Sequence, residues 1–195
     1  MQIANENKIS VILLNWNGKD DTLACLKSFE NLKYPNYNIF LVDNNSSDDS
    51  IICVENYIKN TNNKRISIIK NGDNLGFAKA NNVGILKAIE NKADYVLLLN
   101  NDTIVTDNFL AELNIFVNQN PEYKVLTPQI RYFKPNNIIW NCGGEVNNFG
   151  ISKYYFGGKD FKELPEKQFI TVSFITGCAM LISTNVIKEN GLLTE

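Results

Sequence analysis

Four clusters of amides and acids hold the side chains of this sequence best suited to bind a polar ligand. They are Asn15-Trp16-Asn17, Asp43-Asn44-Asn45, Asn71-Gly72 and Asn100-Asn101-Asp102, and each stands at the end of an expected strand. Asn and Asp are ordinary residues of turns and helix starts, so any one cluster has a purely structural explanation. All four together, with carboxylates after the second and fourth runs, favour a ligand site. Asp102 has the sharpest chemistry. A carboxylate at the tip of a buried strand, between amides, is a hard oxygen donor suited to Mg2+ or Mn2+. Such ions often rest on one or two carboxylates plus substrate phosphates.

What is missing narrows the chemistry further. The 195 residues contain no histidine, which excludes Ser-His-Asp and Cys-His nucleophilic catalysis, His-ligated zinc and imidazole acid/base chemistry. Proton transfer would fall to Asp, Glu, Lys, Tyr or Cys. No GxxxxGK[ST] phosphate loop occurs, and Asn-Trp-Asn-Gly stands where a dinucleotide GxGxxG would follow the first strand. Asp43 to Asp48 resembles a calcium loop only superficially, because the sixth-position glycine is absent and Val54 stands where the bidentate Glu is required. The net charge of −2 excludes a phosphate-tracking surface, so no nucleic-acid partner is expected. Cys25, Cys53, Cys142 and Cys178 form no CxxC pair and read as packing residues in a reducing cytoplasm. No signal peptide and no membrane-spanning apolar run is expected.

The elements that must carry these clusters follow from hydrophobic period. Ile9 to Leu14, Tyr37 to Val42, Ile66 to Ile69 and Tyr95 to Leu99 are near-continuous apolar runs, the pattern of strands buried on both faces of a parallel sheet. Helical spacing intervenes: Leu23, Leu26 and Phe29 after a cap at Asp20 or Asp21, then Ile51, Val54 and Ile58 after a cap at Ser46 or Ser47. A third helix is expected over about 77–91. A fourth opens at Thr106 or Asp107, carries Phe109, Leu110, Leu113 and Val117, and closes at Pro121. Such a β-α-β-α-β-α-β-α order predicts an α/β fold with a doubly wound, mostly parallel sheet. After Pro121, strands are expected over Lys124 to Phe133, Ile138 to Trp140 and Phe169 to Ile182, forming a smaller α+β C-terminal extension. In a doubly wound sheet, ligands bind beyond the carboxyl ends of the strands, where the four polar clusters fall.

With these residues in place, the sequence resembles family 2 glycosyltransferases with the A-type nucleotide-sugar-binding fold. The resemblance rests on Val11 to Gly18, Val42 to Asp48, Asn74 to Gly84, Leu99 to Thr103 and Thr176 to Ile182, in family order. It is closest to the branch containing bacterial rhamnosyltransferases and related cell-surface polysaccharide enzymes. It implies an inverting transfer of a sugar from a UDP- or dTDP-sugar donor to a glycan or lipid-linked acceptor. By the same resemblance, Trp16 packs against the nucleotide base and Asp43 hydrogen-bonds it, Gly76 and Lys79 lie beside the nucleotide, and Asn101 and Asp102 end the DXD motif. Asp102 is then the ligand to Mg2+ or Mn2+. Asn100 departs from the strict Asp-x-Asp form.

A single domain over 1–195 is expected, with a nucleotide-sugar-binding half over 1–105 and the start of an acceptor-side half over 106–195. The family's Glu-Asp base motif lies just past the segment matching Asn190 to Glu195. Glu145, Asp160 and Glu189 do not match it, so no catalytic base is assigned, and a fragment that binds donor and transfers poorly is expected. A lipid-linked acceptor would place the protein at the inner face of the cytoplasmic membrane, attached peripherally. A nucleotide-sugar-binding module without turnover is the alternative. A sugar nucleotidyltransferase is disfavoured, because Asn15 to Lys19 is no Gly-rich, Arg-containing loop.

Overall fold

Strand β1 (Ile9–Asn15) is buried along nearly its whole length, which is why its sequence reads as one apolar run rather than an alternation. A computed structural model describes residues 5–147, 149–164 and 169–194. In it β1 is followed by α1 (Lys19–Ser28), β2 (Tyr37–Asp43), α2 (Ser50–Thr61), β3 (Ile66–Lys70), α3 (Gly76–Glu90), β4 (Tyr95–Asn100) and α4 (Phe109–Gln119). The four β/α units stand where hydrophobic period placed them. Then come β5 (Val125–Leu126), β6 (Ile130–Arg131), β7 (Ile139–Asn141), β8 (Gly144–Val146), β9 (Ser152–Tyr154), β10 (Ala179–Ser183) and α5 (Thr184–Asn190).

The main sheet has the order β3-β2-β1-β4-β10-β5. β1, β2, β3 and β4 are mutually parallel, while β10 runs antiparallel to β4 and β5. The chain winds outward from β1 through β2 to β3, then returns to place β4 on the other side of β1. That reversal opens a crevice beyond the carboxyl ends of β1 and β4.

Side chains alternate between the two faces of the sheet. Ile9, Val11, Leu13, Leu97 and Leu99 pack with Leu26 of α1, Phe29 just past its end, Val54 of α2 and Leu110 and Val117 of α4. Ile12, Val42, Val96 and Leu98 pack with Ala80, Ile85 and Ala88 of α3 and Ile187 of α5. Each fully buried aliphatic side chain contributes about 1.5–3 kcal/mol, so the two layers fix the sheet and hence its polar rim. Gly84 marks the closest approach of α3: a Cβ there would lie 2.5 Å from Ile12 Cγ2.

Several local expectations are corrected. Neither N-cap residue, Gly18 of α1 or Asp49 of α2, makes a side-chain cap bond; Asp20 and Asp21 lie exposed in the first turn of α1, and α2 starts only at Ser50, whose N–H goes to Asp48 Oδ1 at 3.1 Å. Asn108, not Thr106 or Asp107, precedes α4, again without a side-chain cap bond. The strand expected over Lys124 to Phe133 is split into β5 and β6 around Thr127-Pro128, where proline has no N–H to give a ladder. The long strand expected before Ile182 forms only at β10, where β4 and β5 supply partners. The β8–β9 hairpin and α5 were not anticipated. Among the described residues, no helix is long and apolar enough to cross a membrane.

Candidate functional site

Register brings the strand-end clusters level. Asn15 pairs with Asp43, Leu14 with Asn100, and Asp43 with Lys70. The residues that follow each strand therefore line one rim.

Asn15 is fully buried and works in both directions. Its Nδ2 donates to Asp43 Oδ1 at 2.8 Å and to Ser46 Oγ at 2.9 Å. Its Oδ1 accepts from the Thr22 hydroxyl at 2.8 Å. Asp43, also buried, receives the Ser46 hydroxyl on Oδ1 at 2.6 Å and the Ser46 backbone N–H on Oδ2 at 3.1 Å. An ionised carboxylate offers about four lone-pair sites. Among the described residues, both sites on Oδ1 are filled and one on Oδ2 remains. Ser46 was expected to cap α2; its hydroxyl instead organises the rim and also accepts the Asn17 N–H at 2.9 Å. Asn17 sits at φ 52, a left-handed conformation that Asn tolerates better than most residues, and its Oδ1 accepts the Ser47 N–H at 2.7 Å. The turns after β1 and β2 are thereby stitched together. Trp16 projects from this stitched turn with 59% of its surface exposed.

On the other side of β2, Asn44 secures the start of α3. Its Oδ1 accepts the Leu75 N–H at 2.9 Å, and its Nδ2 donates to Asn74 Oδ1 at 2.6 Å. The same Asn74 oxygen receives the Gly76 N–H at 3.0 Å. Gly76 takes φ +74, a conformation that disfavours any side chain, and a Cβ there would meet nothing. Its backbone is therefore open to close approach. Lys79 lies exposed in the first turn of α3.

At the tip of β4, Asn101 Nδ2 donates to Thr22 Oγ1 at 2.8 Å, so this side chain turns beneath α1. Asp102 next to it is exposed and borders a groove of about 1460 Å3 that Tyr132, Phe133 and Trp140 also line. Burial pushes the Cys25 thiol up to about 12, with the charge of Asp102 adding to the effect, and pushes Cys178 up to about 11, again with Asp102 contributing. Both are inert thiols at neutral pH. All four cysteines are free.

No group of three or more His, Cys, Asp or Glu among the described residues could hold a metal by itself. The donor set fits an ion resting on the exposed Asp102 carboxylate plus substrate oxygens, not a cage made by protein alone. The acids already set aside as bases have other tasks. Asp160 accepts from Lys162 N–H and Asn137 Nδ2 in a short turn, and Glu145 accepts from Tyr155. Glu189 is exposed on α5.

Trp16, Asp43, Gly76, Lys79, Asn101 and Asp102 thus lie on one rim of the sheet. Thr22 was missed, although it announces itself: Thr22, Cys25, Leu26 and Phe29 form the buried stripe of α1 at helical spacing, and Thr22 is its only hydroxyl. A polar side chain in an apolar stripe needs a partner.

A mannosyltransferase from Pyrobaculum calidifontis, solved with GDP-Man and Mn2+, shares this architecture at TM-score 0.69 and 12% identity, covering 96% of this chain and 47% of its own. S. aureus TarS 1–349 in complex with UDP-GlcNAc does so at 0.66 and 20%, covering 94% and 47%. In sequence, an uncharacterised glycosyltransferase of Haemophilus influenzae is 31% identical over 116 residues, or 57% of this chain and 43% of the relative. The chain spans between 20% and 45% of the curated relatives it matches. The model of glycosyl transferase family 2 matches residues 10–191. The chain belongs to this family.

Proposed function

We propose that residues 1–105 bind a UDP- or dTDP-sugar along the crevice between β2 and β4, and that 106–195 form the start of the acceptor side. The observation that carries this reading is the hydrogen-bonded rim that links Asp43, through Asn15 and Thr22, to Asn101, the neighbour of Asp102, across one crevice. The Trp16 face suits stacking on a pyrimidine base. The remaining site on Asp43 Oδ2 suits the base N–H, because a carboxylate can only accept. The open Gly76 backbone and the charge of Lys79 suit the diphosphate, and Asp102 suits Mg2+ or Mn2+. Such an ion, when bound, supplies neutralisation of the charge gathering on the leaving diphosphate.

Transfer then proceeds with inversion. The acceptor hydroxyl attacks the anomeric carbon as the bond to the diphosphate oxygen breaks, through an oxocarbenium-like state like that of glycosidases. The residues described here hold the leaving group; none of them is assigned as the base. A glycan or lipid-linked acceptor, as in polysaccharide synthesis, approaches Asp102 along the groove. Tyr132 and Trp140 offer the flat faces that sugar rings need.

Calorimetric titration of UDP and dTDP, with and without Mn2+, tests the donor site beside Asp102→Ala. The expected result is Mn2+-dependent binding that the variant loses by at least tenfold. Absence of binding to the unaltered chain under every condition overturns the reading. If the gene encodes residues after Glu195, donor binding without sugar transfer by the product that includes them would favour the non-catalytic module.

A further inference from the structure

The polar rim contains one continuous path between its two ends. Asn101 Nδ2 donates to Thr22 Oγ1, Thr22 Oγ1 donates to Asn15 Oδ1, and Asn15 Nδ2 donates to Asp43 Oδ1, each at 2.8 Å. Every bond points the same way and the path ends on a carboxylate. This is the arrangement in which hydrogen bonds polarise and reinforce one another. Asn15 and Thr22 are fully buried and Asp43 nearly so, so the middle of the path is shut off from water, while Asn101 at its start is half-buried. The path crosses three strand-end segments and one helix, and Thr22 is its only member from a helix. The neighbouring backbone enforces it. A Cβ at Gly18 would lie 2.5 Å from Asn101 Nδ2 and 3.4 Å from Asn15 Oδ1, so the absent side chain of Gly18 is what lets the Asn101 amide reach Thr22.

We propose that Thr22 is a positioning residue of the donor site. Its hydroxyl locks Asn101, and with it the adjacent Asp102, at a set distance from Asp43. The nucleoside end and the diphosphate end of the site are thereby held in register before ligand arrives. The inference rests on the donor-site reading above. Neither Thr22 nor Gly18 touches the ligand in this account; both act through Asn101.

The position of Gly18 provides a test that leaves the core alone. Its φ is −121, outside the left-handed region that favours glycine, and the atom its methyl would displace is the far end of a side chain. Gly18→Ala therefore swings Asn101 off Thr22 at little cost to folding. Thr22→Val removes the hydroxyl with the shape kept, and Thr22→Ser keeps the hydroxyl. For each variant and the unaltered chain, three affinities are read by calorimetry: uridine, UDP alone, and UDP with Mn2+. The thermal midpoint is recorded in parallel.

Thr22→Val and Gly18→Ala are each expected to weaken UDP binding in Mn2+ by tenfold or more while uridine binding stays within threefold, because Ser46 still holds Asp43. Thr22→Ser is expected to stay within threefold throughout, and Gly18→Ala within a few degrees of the original midpoint. Equal losses for uridine and UDP, or a Thr22→Ser as weak as Thr22→Val, would overturn the positioning role. So would retention of the Mn2+ enhancement in Gly18→Ala, which decides the matter if Thr22→Val fails to fold. An unaltered chain that binds UDP in no condition defeats the donor-site reading, and the positioning role with it. An unaltered chain that binds, beside variants that bind equally well, defeats the positioning role alone.

Discussion

Replacing Asp43 by asparagine changes almost no volume, yet the surrounding hydrogen bonds make its cost calculable. Three donors converge on the carboxylate: Asn15 Nδ2 at 2.8 Å and Ser46 Oγ at 2.6 Å on one oxygen, and Ser46 N–H at 3.1 Å on the other. An amide has one oxygen, so in either orientation its own NH2 faces a buried donor. With the amide nitrogen toward Ser46 N–H, that backbone group loses its partner; with the amide flipped, Asn15 Nδ2 loses one of its two acceptors and keeps only Ser46 Oγ. One orphaned buried donor plus weakened charge assistance costs about 2–3 kcal/mol. At roughly 2–4 °C per kcal/mol for a domain of this size, the midpoint of thermal unfolding should fall by about 4–12 °C. Circular dichroism melts of Asp43→Asn beside the unaltered chain measure this directly. UDP titrations of the same proteins should show a tenfold to hundredfold loss, the equivalent of one charge-assisted hydrogen bond at about 1.4 kcal/mol per tenfold. A variant that melts within one degree of the original would refute the convergence of three donors on this carboxylate.

Gly84→Ala drives a methyl into Ile12 at 2.5 Å and Val42 at 3.1 Å, and overpacking of this kind costs about 1–3 kcal/mol; urea titration should show a lower midpoint, and an unchanged one would mean that α3 can lift off the sheet freely. Alkaline pH should destabilise the chain through Cys25. Its thiol ordinarily titrates near 9.0 and is pushed up to about 12 in the folded state, so above pH 9 the unfolded chain releases a proton that the folded one keeps, and stability falls as pH rises. By pH 10 this amounts to roughly 1–1.5 kcal/mol. Midpoints between pH 8 and 10, under reducing conditions, should therefore drop less steeply in Cys25→Ala than in the original, and parallel curves would sink that assignment.

Much of this protein is legible in consecutive residues. The four apolar runs are continuous because both faces of the sheet are covered, and the helices between them carry the 3.6-residue period because each buries one stripe. The positions of Trp16, Asp43, Asn101 and Asp102 just beyond the runs follow from the same reading, whereas Gly76 and Lys79, in the first turn of α3, come from the family resemblance. The region after Pro121 was less legible. Its strands are two to five residues long, too short for a period, and β10 exists only because β4 and β5 offer it partners. The caps assigned to Asp20, Asp21, Ser46 and Ser47 failed for a related reason: a polar side chain before a helix has other places to go, and Ser46 turns to Asp43.

The sequence by itself determined the α/β class, the order of the elements and which residues stand at the strand ends, because these depend on local period and turn chemistry. Tertiary structure alone decided which side chains meet. Asp43 touches Asn15 because the parallel register sets them level. Thr22 reaches Asn101 because the phase of α1 and the bare backbone of Gly18 permit it. Contacts between residues far apart in the chain are fixed by packing of the two buried layers, and no run of neighbouring residues encodes the angle at which those layers meet.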